Sequence, residues 1–194
     1  MNKEHINYEL TLPEAYCEAF SVDAKNKRTA ILLNLAALLV TAIIILISVL
    51  VIQPTDFFGN YSLGRNIILI AAMLAYIILH ELVHGIAYKL MTGRKLKFGF
   101  SLSYAYCGVP DIFVYRRTAI ISLASPLLVF MLLLLIPAFL FDNAWDKLYV
   151  LVLFALHIGG CAGDIYDLFL YFFRFKSPST LMQDTGPKQT FYTK

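Results

Sequence analysis

Residues 80–84 read His-Glu-Leu-Val-His, a spacing that can hold a metal ion. On a helix, positions four apart differ by about 40° around the axis, so His80 and His84 project from one face. Two neutral imidazoles and one further ligand can bind zinc while leaving a position for water. Glu81 stands beside that face, where its carboxylate can take a proton from the water. With four His and five Glu in 194 residues, chance produces the pattern only about 0.002 times. The motif also lies within a long apolar stretch. A carboxylate and two imidazoles are costly there unless they are paired or face a wet cavity. The competing reading is a buried polar network that ties helices together.

A third ligand must come from elsewhere. A later apolar stretch carries the other ionisable cluster: His157, Cys161, Asp164 and Asp167, interleaved with Gly159, Gly160 and Gly163. His157, Cys161 and Asp164 stand at i, i+4 and i+7, one face of a single helix. His80 lies roughly 21 Å into its span and Asp164 roughly 24 Å into its own, at about 1.5 Å per residue. If the two spans run parallel, both groups reach similar depth, and a zinc site of His80, His84 and Asp164 is geometrically open. Asp167, one turn deeper, is the rival ligand; its other reading is an interfacial charge. His157 could bond a substrate carbonyl or support a ligand from behind, and a plain interhelical hydrogen bond fits it equally well. Cys161 is a soft ligand by chemistry and a packing residue by habit. Pro126 removes a backbone donor, which implies a kink and could open backbone groups toward a substrate.

The elements that must position these groups follow from composition. The chain is 59% hydrophobic and 15% charged, unlike a water-soluble globule or a disordered segment. A net charge of +3 gives no reason to expect nucleic acid. The three cysteines form no CxxC pair, so neither a disulfide framework nor a structural Cys-zinc site is expected. The N-terminal residues contain no apolar core of a cleaved signal peptide. Four apolar stretches, about 30–52, 66–90, 118–141 and 148–173, each meet the length needed to cross a bilayer as a helix. The fold class expected is an all-α membrane protein with four transmembrane helices. Residues 30–175 form one membrane domain, flanked by peripheral tails at 1–29 and 176–194. Of sixteen Lys and Arg, fourteen (Lys3 among them) lie before span one, between spans two and three, or after span four; Arg65 and Lys147 are the exceptions. Both termini are therefore expected in the cytoplasm, with spans two and four parallel. Between spans two and three, the alternation from Lys97 to Leu102 predicts one or two short strands, a hairpin if two, or else an aromatic anchor at headgroup level.

Taken together, HELVHG in a span, an aromatic loop, a small-residue-Pro stretch and a later intramembrane Asp resemble the site-2 protease superfamily. The short layout with HELVHG followed by HIGGCAGD looks more narrowly like a bacterial family of zincin-type peptidases. The resemblance covers about residues 30–175. It implies an intramembrane metalloprotease in the bacterial plasma membrane, with His80, His84 and Asp164 holding Zn2+ and Glu81 as catalytic base. Its substrates would be membrane proteins or peptides, cut within or near the bilayer. The chain departs from the superfamily at the third ligand, where Gly163 precedes Asp164 and Ile165 follows, in place of an Asn-Pro-containing segment ending Leu-Asp-Gly. Two other functions use the same residues: a zinc-stabilised pseudoprotease, and a metal- or proton-transporter subunit, which a chain without internal repeats fits poorly.

Overall fold

The structure, a computed structural model, describes residues 7–55, 62–101 and 105–194. Lys3 of the charge count and Leu102 at the end of the expected strand lie outside them. Five helices are present among the described residues: α1 (Lys27–Ile52), α2 (Leu63–Thr92), α3 (Arg116–Leu140), α4 (Ala144–Gly160) and α5 (Ala162–Phe173). Asn26 caps α1, its side-chain oxygen accepting from the amides of Arg28 and Thr29 at 3.0 and 3.3 Å. From there α1 runs 26 residues on Leu, Ile, Val and Ala. Many of its large apolar side chains point outward, Leu38 at 67% and Val51 at 76% exposure, which suits hydrocarbon rather than water. Among the described residues three helices, α1, α2 and α3, are each long and apolar enough to cross a membrane.

The fourth expected span is not one helix. α4 starts on an Asn143 cap, whose side chain accepts from the amides of Trp145 and Asp146, and ends at Gly160. Cys161 leaves helical geometry at φ −77° and ψ 7° before α5 begins. The two preceding glycines, Gly159 and Gly160, are weak helix formers that permit the break. His157 and Asp164 therefore do not share one face of a continuous helix, contrary to the i, i+4, i+7 reading.

The all-α expectation also needs correction. Strands β1 (Tyr8–Glu9), β2 (Cys17–Asp23), β5 (Phe113–Tyr115), β6 (Leu181–Asp184) and β7 (Lys188–Thr193) form an antiparallel sheet in the order β1-β5-β6-β7-β2. Both tails, read as peripheral, supply its strands. The alternation that began at Lys97 does produce a hairpin, β3 (Lys97–Phe100) with β4 (Ala105–Gly108), in which Phe98 opposes Cys107.

The chain divides into two compact units. One comprises Met1–Ile31, His80–Pro126 and Asp164–Lys194. Its core is the sheet and α5: Phe175 stacks on Phe191 at 4.8 Å, Tyr171 meets Phe191 at 5.1 Å, and Val114, Leu181 and Met182 are fully buried. Arg116 closes the end of α5 by donating to the carbonyls of Tyr171 and Phe175 at 3.1 Å each. Between β6 and β7 the chain turns at Gly186, whose φ of +95° suits glycine; its amide donates to Asp184 Oδ1 at 2.8 Å. The other unit, Leu32–Leu79 and Leu127–Gly163, is helical. Thr41 donates to the Ala155 carbonyl at 3.2 Å, Tyr149 to Asn66 at 3.0 Å, and Arg65 pairs with Asp146 at 3.3 Å.

Candidate metal centre

α2 presents His80 and His84 on the same face, one turn apart, and both are buried with 7% exposure. Their rings meet edge to face with centroids 4.9 Å apart. Asp164, in the first turn of α5, sends Oδ2 to 3.3 Å from His80 Nε2 and 3.4 Å from His84 Nε2. One ligand atom from each of the three residues lies within 4.8 Å of the others. These separations fit zinc: bonds of about 2.0–2.2 Å to N and O in tetrahedral array put neighbouring donors about 3.3–3.5 Å apart. Two imidazoles and a carboxylate are also a three-residue donor set that leaves one position open.

The far side of His84 is fixed too. Its Nδ1 donates to the main-chain carbonyl of Ser122 in α3 at 2.8 Å; a neutral ring held this way carries its lone pair on Nε2, the atom facing Asp164. Glu81 is half-buried and lies within electrostatic reach of His84, His80 and Asp164. Asp167 stands apart from the donor group. It is buried at 2% exposure, and its Oδ1 has no hydrogen-bond partner among the described residues. His157 belongs to the helical unit, where Nδ1 accepts from the Tyr76 hydroxyl at 2.8 Å and Nε2 donates to the Leu127 carbonyl at 3.2 Å. Cys161 Sγ lies 3.5 Å from the same Nδ1. The interhelical hydrogen bond weighed for His157 is what the structure places there.

Three features of this region escape a side-chain reading of the sequence. A Cβ at Gly85 would lie 2.8 Å from Phe98 Cζ, 3.0 Å from Leu96 Cδ1 and 3.2 Å from Cys107 Sγ, so the β3–β4 hairpin rests directly on α2 beside His84. Burial pushes the Cys107 thiol up to about 12. One turn past His84, Tyr88 is buried at 1% exposure and donates to Asp184 at 2.7 Å. Burial raises the Asp184 carboxyl to about 6, although donation from Tyr88, the Gly186 amide and Gln189 opposes the shift. The third feature is the Ser122 carbonyl, a backbone atom that no residue type announces.

Residues 73–179 match the protein family described as "Putative zincin peptidase". The chain belongs to this family. The matched segment contains His80, Glu81, His84 and Asp164. It also holds the hairpin and the Ser122 carbonyl, so the family's segment brings its own support for the donors. The description is that of a metallopeptidase and implies zinc. No curated protein and no solved structure was found to match the chain.

Proposed function

We infer that the protein is a zinc-dependent intramembrane endopeptidase of the site-2 protease type. The observation that carries this reading is the convergence of His80, His84 and Asp164 at 3.3–3.4 Å on helices of a membrane protein. His80 Nε2, His84 Nε2 and Asp164 Oδ2 would hold the metal. When bound, zinc supplies Lewis acidity to a peptide carbonyl and to water. Glu81 takes a proton from the attacking water and hands it to the departing amine, a transfer worth about 10²–10⁴-fold in rate. A helical peptide bond is shielded by its own hydrogen bonds, so the substrate segment must be extended to be cut. The hairpin beside Gly85 offers a strand edge along which a main chain can pair and stay extended.

The membrane arrangement that accompanies this reading has four crossings, α4 and α5 together making the fourth, in a bacterial plasma membrane with both termini in the cytoplasm. The distribution of Lys and Arg supports that orientation. A reporter fused after Lys194 that is reached only from outside the cell would reverse it.

Metal analysis and Glu81→Gln test the function together. The purified chain should carry about one zinc, in keeping with a single three-ligand site. Glu81→Gln should keep the metal and lose cleavage of a transmembrane peptide by about 10²-fold or more. Cleavage that survives the substitution would overturn the assignment of Glu81 as the base. A zinc-loaded wild-type protein that cuts nothing would favour the pseudoprotease.

A further inference from the structure

The oxygen that receives His84 Nδ1–H belongs to the interior of a continuous helix. Ser122 is the seventh residue of α3 (Arg116–Leu140), and an interior helical carbonyl ordinarily accepts from the amide four residues later. Four residues after Ser122 comes Pro126, which has no amide hydrogen. The helical partner of this carbonyl is therefore missing by covalent structure. The pyrrolidine ring also crowds the carbonyl four residues back and turns it off the helix axis. Both residues are fully buried, so water does not replace the lost donor. His84, thirty-eight residues away in sequence, supplies it at 2.8 Å.

We propose that Pro126 is a positioning residue for the metal centre: by vacating the Ser122 carbonyl it reserves that oxygen for His84 Nδ1–H and so fixes the ring with Nε2 toward Asp164. The proposal rests on the reading of His84 as a zinc ligand, and it assigns to the proline a task beyond bending the helix. Polar groups that orient a ligand from behind are worth about 10–100-fold in metal affinity. An amide restored at position 126 competes for the same oxygen. The imidazole then loses its anchor, and the Nε2–H tautomer, which cannot bind metal through Nε2, becomes populated.

The test compares Pro126→Ala with Pro137→Ala, a second interior proline of α3, in the full chain in detergent. Zinc affinity is read by competition with a chromophoric chelator. Pro126→Ala should weaken zinc about tenfold, within the range for such supports, while Pro137→Ala stays within about twofold. A Pro126→Ala protein that also stays within about twofold overturns the proposal. A second measurement needs no metal: nitrogen-15 spectra of the histidine rings in zinc-free protein. The wild type should show a His84 Nδ1–H held in a hydrogen bond to the Ser122 carbonyl, and Pro126→Ala should weaken or lose that bond. An Nδ1–H signal unchanged in Pro126→Ala would refute the proposal. If wild-type protein takes up no zinc, the reading of the site fails, and the Nδ1–H comparison still decides the role of Pro126.

Discussion

The Tyr88 hydroxyl donates to Asp184 Oδ2 at 2.7 Å, tying α2 one turn past His84 to the last residue of β6. This bond joins the helix that carries the two histidines to the sheet of β1, β5, β6, β7 and β2. Tyr88→Phe removes the donor and leaves a buried acceptor short of a partner. The loss should be about 1–3 kcal/mol. Thermal unfolding in detergent, followed by loss of the β signal, reads it; an unchanged midpoint would mean the bond carries no net stability.

The same carboxyl sets a pH dependence. Its folded value of about 6 lies above its ordinary 3.8, so between those values the folded chain holds a proton that the unfolded chain has lost. The contribution to stability is complete below about 3.8, declines as pH rises to about 6, and is flat above. Asp184→Asn, neutral throughout, should remove this decline from a series of unfolding midpoints between pH 4 and 6. A variant whose midpoints still fall as the wild type's do would place the titrating group elsewhere.

Asp164 and Asp167 can be separated by their effects. Asp164→Ala removes one of the three converging donors, so zinc content and cleavage should both collapse. Asp167→Ala empties a buried carboxyl whose Oδ1 has no partner among the described residues, so zinc should remain at wild-type content. Elemental analysis of the two variants in parallel decides between them, and the reverse pattern would make Asp167 the ligand.

Gly85 should behave as a spacer between helix and hairpin. A methyl group at Gly85→Ala must displace the Phe98 ring and Leu96, at a cost of about 1–3 kcal/mol if the contact is rigid. Because the displaced groups sit on the hairpin and not on the donors, cleavage of a membrane substrate should fall more than zinc affinity does. Equal losses in both would mean that the hairpin shapes the metal centre itself.

Much of the centre is legible in the sequence because its signals are local. Long apolar runs mark α1, α2 and α3, and the i, i+4 spacing marks His80 and His84. Asp164 is legible only as one of two candidate carboxylates, with Asp167, in the last apolar stretch, because the depth count assumes a helix that the break at Cys161 interrupts. The sheet is not legible in the same way. β1 has two residues and β5 three, and their pairing is set by partners more than a hundred positions away, as when Tyr8 meets Val114. Strands this short show no periodicity to read. The break at Cys161 is hidden because Gly159 and Gly160 also serve close helix packing, and Gly159 does sit against Ala37 and Thr41. The Ser122 carbonyl leaves only an indirect trace, the proline four residues on.

The strand order has a consequence for biosynthesis. Among the described residues β2 pairs with β7 alone, Cys17 opposite Thr193, so its partner strand is made long after it. At about 5–20 residues per second, β2 waits roughly 10–35 s after its own synthesis. During that interval α1 to α5 emerge in turn while β2 still offers an unpaired edge. A chain cut short before Lys188 keeps that edge permanently and leaves β6 uncovered as well. Premature termination is thus written on the protein as a lasting sticky surface, which cellular proteolysis can read long after the translation error itself has passed.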